Sequence, residues 1–149
     1  MELFRICSEK YANKLSASGK ANRWNVENQY VIYASGTRSL AALELIAHRN
    51  AIMEGITYKM LTIVIPDSEK ILELISIKGL PQDWSLLENK GLTQRYGSDW
   101  YTDKRTVFLK VPSAIIKEEF NYIINTVHQD FEKIKINDVE DFVWDKRLL

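Results

Sequence analysis

Short runs of β-branched and aromatic residues, each closed by turn formers, recur along this chain and leave room for only one or two helices. Residues 3–6 form an apolar start. Val31-Ile32-Tyr33-Ala34 is broken by Ser35-Gly36-Thr37, residues 58–65 are closed by Pro66-Asp67, and residues 106–111 end at Pro112. Over 120–125 the pattern alternates, which places Phe120, Tyr122 and Ile124 on one face and Asn121, Ile123 and Asn125 on the other. Ile134-Lys135-Ile136 and Phe142-Val143-Trp144 read as two further short strands. The run 71–77 is apolar without a deciding period. A helix is expected over 39–50, with Ser39 as its N-cap and Asn50 near its stop. Short helices and loops are expected from Leu80-Pro81-Gln82-Asp83-Trp84 through Asn89-Lys90-Gly91. This mixture predicts an α+β fold. At 149 residues and 46% hydrophobic composition, one domain over 1–149 can bury a core without staples.

Composition removes several function classes. The 20 basic and 20 acidic residues cancel, so no global field draws the chain to nucleic acid. A lone cysteine, Cys7, excludes an intramolecular disulfide and a cysteine zinc cage, and reads as a small buried residue of the first strand. His48 and His128 have no metal-ligand spacing, so no metal is expected. There is no Gly-x-Ser-x-Gly elbow and no phosphate-cradling glycine loop. Apolar runs fall short of the roughly 20 residues of a membrane helix, and no secretory signal opens the chain. A cytoplasmic domain without membrane contact is expected.

Four residues could carry chemistry, each with a plainer alternative. Glu44 is the only ionisable group in Leu40-Ala41-Ala42-Leu43-Glu44-Leu45-Ile46-Ala47. On a helix it shares the stripe of Leu40, Leu43 and Ala47, where a carboxylate needs a partner or a polar cavity. It is either a structural ion pair, for instance with His48, or an acid held at a cleft wall. Arg23 follows the turn-rich loop Ser16-Ala17-Ser18-Gly19-Lys20-Ala21-Asn22. Its fork suits an anion such as phosphate, and a surface salt bridge is the alternative. Tyr33 is a core aromatic or a ring on which a flat ligand stacks. Ser113, just past Val111-Pro112, caps a turn or donates to a ligand beside the sheet.

Nine short stretches, in order, resemble the RES family of bacterial toxins. They are Leu3-Phe4-Arg5-Ile6, Gly19 leading to Arg23-Trp24-Asn25, Val31-Ile32-Tyr33-Ala34-Ser35, Leu40-Ala41-Ala42-Leu43-Glu44, Leu80-Pro81-Gln82-Asp83-Trp84, the Gly97 to Trp100 element, Val111-Pro112-Ser113, Asn121-Tyr122-Ile123-Ile124-Asn125, and Phe142-Val143-Trp144-Asp145-Lys146-Arg147-Leu148. Thr126 and Gln129 stand where the family often has proline. The resemblance implies a single RES domain with a split mixed β-sheet and flanking helices, like the bacterial ADP-ribosyltransferase toxins. It implies NAD as substrate, cleavage of the nicotinamide–ribose bond, and Arg23, Tyr33, Glu44 and Ser113 lining the cleft. By the same resemblance Glu44 steadies the oxocarbenium-like state or a ribose hydroxyl, and Arg23 grips the pyrophosphate. Tyr33 stacks on nicotinamide or ribose, and Ser113 bonds a ribose or amide group. The implied partner is an Xre-type helix-turn-helix antitoxin that carries the DNA contact and blocks the cleft with its C-terminal segment. Three rivals stand beside NAD depletion: ADP-ribosylation of a specific protein, an inactive module that only docks the antitoxin, and a ribonuclease.

Overall fold

The computed structural model describes residues 1–48 and 51–149. Seven strands form one mixed sheet: β1 (Glu2–Ser8), β2 (Val31–Ser35), β3 (Tyr58–Val64), β4 (Leu72–Leu74), β5 (Phe108–Pro112), β6 (Phe120–Asn125) and β7 (Lys135–Phe142). Their spatial order is β4-β5-β6-β2-β1-β3-β7. Only the β4–β5 pair is parallel, and the remaining pairs are antiparallel. The α+β expectation holds.

The sheet has a seam. β1 pairs with β3 continuously from Glu2↔Val64 to Ser8↔Tyr58, and β2 pairs with β6 from Val31↔Asn125 to Ser35↔Asn121. Between β1 and β2 the ladder holds a single rung, Phe4↔Ser35. The sheet therefore consists of two leaves, β4-β5-β6-β2 and β1-β3-β7, which part on one side of that rung.

Helices cover the two leaves separately. Helix α1 (Arg38–Ala47) packs Ala41 with Ile6, Tyr58 and Met60, and Phe4, Ala42, Leu45 and Trp144 lean on that cluster. Helix α2 (Lys90–Asp103) sets Trp100 into a second cluster with Trp24, Trp84, Leu109, Val111 and Ile123. The opposite face is continuous across both leaves, from Leu3, Leu61 and Ile63 to Ile32, Phe108, Tyr122 and Ile124. Cys7 is buried there, as expected. The alternation in β6 also holds, with Tyr122 and Ile124 in one core and Ile123 in the other.

Three local expectations change, and one open run is settled. The cap of α1 is Thr37, whose Oγ1 accepts from the Leu40 N–H at 3.1 Å, so Ser39 lies inside the helix. The helix ends at Ala47; the stop expected at Asn50 lies outside the described residues. The first tail strand extends as far as Phe142 to form β7, with Val143 and Trp144 beyond its end, and its middle faces solvent with Asp138, Glu140 and Asp141. An edge strand carries charge where a buried strand carries aliphatics, so its centre reads as a loop in sequence. The run 71–77 resolves into the short strand β4 between two 3₁₀ turns. Among the described residues no helix is long and apolar enough to cross a membrane.

Candidate functional site

Where β1 and β2 part, a cleft of about 820 Å³ opens, within the range of ligand sites. Arg5, Tyr33, Ser35, Glu44 and Asn121 are on its wall, together with Asn22 and His48. Lys14, Lys20 and Lys90 line it as well, and Glu44 is its only acid among the described residues. The chain is neutral overall, but this cleft is basic and suits an anionic ligand.

Glu44 reaches the wall because α1 packs its apolar stripe onto β1 and β3, leaving the carboxylate half-buried at the seam. Its Oε1 accepts from Ser113 Oγ at 2.8 Å and from Asn121 Nδ2 at 2.5 Å. Among the described residues it forms no ion pair. His48 instead meets the Asn22 side chain, at 3.3 Å between Nδ2 and Nε2. The polar-cavity alternative is the one the structure adopts.

Ser113 is fully buried and stands behind the carboxylate, off the cleft wall. Its Oγ accepts from the N–H groups of Ile115 and Ile116, both at 3.1 Å, so its proton is left for Glu44. In this structure the Ser113 hydroxyl is engaged by the carboxylate and by a turn, so the contact shown for this residue is with Glu44.

Tyr33 lies on the wall with its hydroxyl already committed. It donates to Asn25 Oδ1 at 2.7 Å and accepts from the Trp24 N–H at 3.0 Å. Burial pushes its pKa well above the usual phenol value, and the Trp24 bond and the Arg23 charge only partly oppose this. The phenol stays neutral, and the ring is what remains for a ligand.

Arg23 is half-buried beside the wall, and its neighbour Asn22 is on it. Burial lowers its pKa, while the charge of Glu44 pulls it back up. Its Nη1 is buried and has no hydrogen-bond partner among the described residues. A buried guanidinium nitrogen without a partner is a donor in want of an acceptor.

The loop that carries Arg23 is clamped by α2. Thr93 Oγ1 donates to the Arg23 carbonyl at 2.6 Å, and Gln94 Nε2 donates to the carbonyls of Asn22 and Asn25 at 2.9 and 3.2 Å. A Cβ on Gly97 would sit 1.7 Å from the Trp24 carbonyl oxygen, so only glycine permits this approach. Asn25, almost fully buried, closes the loop from inside by donating to the Lys20 and Val26 carbonyls at 2.9 and 3.1 Å.

Arg5 and Asn121 are wall residues beyond the four candidates. Arg5 Nη1 donates to the Tyr33 carbonyl across the seam at 2.8 Å, and burial lowers its pKa. The signal was present: an arginine inside an apolar strand is as conspicuous as a glutamate inside an apolar helix. Asn121 follows from the alternation of β6, which puts a polar side chain on a covered face. Of the four candidates, then, Tyr33 and Glu44 form the wall, Arg23 stands beside it and Ser113 behind it. No group of three or more metal-ligating side chains occurs among the described residues.

Comparison with known proteins agrees across nearly the full chain. A "Prs ADP-ribosylating toxin" of Sphingobium sp. (strain YBL2) is 32% identical over 142 residues, covering 93% of this chain and 88% of that protein. A "Toxin Res" of Photorhabdus laumondii subsp. laumondii is 32% identical over 155 residues, covering 100% of this chain and 97% of that protein. In fold, the chain superposes on the crystal structure of the M. tuberculosis MbcT–MbcA toxin–antitoxin complex. The TM-score is 0.76 at 16% identity, covering 95% of this chain and 84% of that one. The RES domain profile matches residues 2–145, and with these likenesses over nearly its whole length this chain belongs to the RES domain family.

Proposed function

We propose that this chain is the toxin of a toxin–antitoxin pair and that it breaks the nicotinamide–ribose bond of NAD by hydrolysis or phosphorolysis, depleting the cell of NAD. The observation that carries the reading is a carboxylate fixed through one oxygen at the wall of an otherwise basic cleft. The names of the relatives, one of them ADP-ribosylating, support it.

The chemistry suits these groups. As the bond from ribose C1′ to the pyridinium nitrogen breaks, its electron pair goes to nicotinamide, which leaves neutral. Positive charge is left on the ribose C1′–O4′ unit. Glu44, anionic beside that unit, lowers the energy of the charged state, and a preorganised electrostatic group of this kind is worth on the order of a hundredfold or more in rate. An oxygen of water or phosphate then bonds to C1′ and gives up its proton to solvent. Arg23, with its unfilled Nη1, and Arg5 suit the pyrophosphate, and the Tyr33 ring suits nicotinamide or ribose. Ser113 acts through Glu44.

A second reading, transfer of ADP-ribose to a specific protein, shares the first step and is favoured by the relative named for modifying Prs. In either case an Xre-type helix-turn-helix antitoxin is the proposed partner, the cytoplasm the proposed compartment, and DNA contact the antitoxin's task. A basic cleft can accept an anionic C-terminal segment of such a protein.

Incubation of the pure protein with labelled NAD, with and without phosphate and cell lysate, separates the routes. Free ADP-ribose, a phosphorylated sugar product or a labelled protein band each identifies one. Glu44→Gln, which keeps the shape and removes the charge, is expected to lower turnover by about two to three orders of magnitude while the protein stays folded. Full activity in that variant overturns the role given to Glu44.

A further inference from the structure

We propose that Asn121 is a positioning residue that aims the Glu44 carboxylate into the cleft, and that Ser35 fixes the Asn121 amide in the orientation this requires. The proposal rests on the reading of Glu44 as the acid of an NAD-cleaving site.

A glutamate on a half-buried wall has three side-chain torsions to lose before it can face one point in a ligand. Here both protein donors, Ser113 Oγ and Asn121 Nδ2, converge on Oε1. Among the described residues Oε2 has no donor, which leaves one oxygen for holding and one for chemistry. Ser113 enters from behind the sheet edge, with its own acceptor capacity filled by two backbone N–H groups. Asn121 enters from the wall.

An amide can present either end, and only its nitrogen suits an ionised carboxylate. Ser35 sets that choice: its Oγ donates to Asn121 Oδ1 at 2.7 Å and so turns Nδ2 toward Glu44. The two residues are direct cross-strand partners on β2 and β6. Ser35 is also the residue that forms the lone rung with Phe4. The chain Ser35–Asn121–Glu44 thus starts at the point where the leaves join and ends at the acid, and a conserved-volume change at its middle should be felt in the chemistry more than in binding.

Turnover of NAD by the purified full chain tests this. Asn121→Ala is expected to lower kcat roughly ten- to hundredfold, the worth of a hydrogen bond to a charged group, with KM changed less than about threefold. Asn121→Asp separates positioning from bulk structure. Two carboxyls in contact share one proton, so the introduced group donates to Glu44 when protonated and repels it when ionised. Its activity relative to wild type is expected to climb by about tenfold or more as pH falls from about 8 to about 5, while the Asn121→Ala ratio stays flat. Ser35→Ala should show a smaller loss of kcat, of about threefold, again at constant KM. Unchanged kcat in Asn121→Ala, a loss borne by KM, or a flat ratio for Asn121→Asp overturns the proposal.

The contact can also be read without turnover. In ¹⁵N-labelled protein the Asn121 side-chain amide signals should move on Glu44→Gln; no response overturns the proposal even if a variant fails to fold. Wild-type protein that leaves NAD intact overturns the functional reading alone. Growth inhibition by the induced variants then replaces turnover, and undiminished inhibition by Asn121→Ala overturns the positioning role.

Discussion

Two charged candidate residues, Glu44 on the cleft wall and Arg23 beside it, are held in opposite ways. Glu44 is finished: two donors hold one of its oxygens, and the helix behind it packs onto a covered leaf of the sheet. Arg23 is unfinished: its backbone is clamped by α2, yet its Nη1 is buried and unpartnered. The difference teaches which half of the site exists before a ligand arrives. The acid is preorganised, which on the proposed reading suits electrostatic stabilisation of a developing cation. The guanidinium is placed by its main chain, and on the proposed reading an anion completes it.

The hardest way to break this contrast is at Gly97. Gly97→Ala drives a methyl group into the Trp24 carbonyl, so α2 must withdraw from the Arg23 loop. We expect a loss of about 3 kcal/mol in urea denaturation, at the upper end of overpacking costs, with the Arg23 side of the cleft damaged far more than the Glu44 side. A loss below about 1 kcal/mol would mean the helix does not serve as the clamp described above.

A milder change sharpens it. Arg23→Lys keeps the charge and removes the fork, so it should raise KM for NAD about tenfold with little change in kcat. Glu44→Gln should do the reverse, and steady-state kinetics of the two variants side by side make the comparison quantitative. A kcat effect in Arg23→Lys as large as that of Glu44→Gln would mean that both groups act on the transition state alone.

The smallest expected effect concerns Tyr33. Its phenol is neutral in the folded protein well above pH 10, because burial raises its pKa from the ordinary value of 10.0. In the unfolded chain it ionises near pH 10. Above that point the folded state binds the extra proton, so stability falls with rising pH, by up to about 1.4 kcal/mol per pH unit for this one group. Tyr33→Phe removes that component, and its stability measured between pH 9 and about 11 should decline less steeply than that of the wild type. Near neutrality the same variant leaves the Trp24 N–H and Asn25 Oδ1 without their partner, at a cost of about 1–2 kcal/mol.

The acid half of the site was legible in the sequence and the arginine half only partly. A single carboxylate in the apolar stripe Leu40 to Ala47 cannot be buried without a polar outlet, and the outlet turned out to be the cleft. Arg23 could be named, but not what holds it. The residues of α2 that do so work through a glycine, a threonine and a glutamine, and they contact backbone carbonyls. Such contacts leave no hydrophobic period, and Gly91 and Gly97 lower helix propensity further. For the same reason β7, charged along its exposed middle, reads as two fragments. Ser113 is legible as a residue but its Glu44 partner is not, because sequence order does not show which way its hydroxyl turns.

The lone Phe4↔Ser35 rung has a thermodynamic consequence. Each backbone hydrogen bond that β1 and β2 do not exchange is stability forgone, roughly 1 kcal/mol apiece. A tighter zipper between those strands would give a sturdier protein with nothing to bind, so selection for function and selection for robustness pull on this seam in opposite directions. The Arg5 side chain spanning to the Tyr33 carbonyl recovers part of the deficit while keeping the gap open.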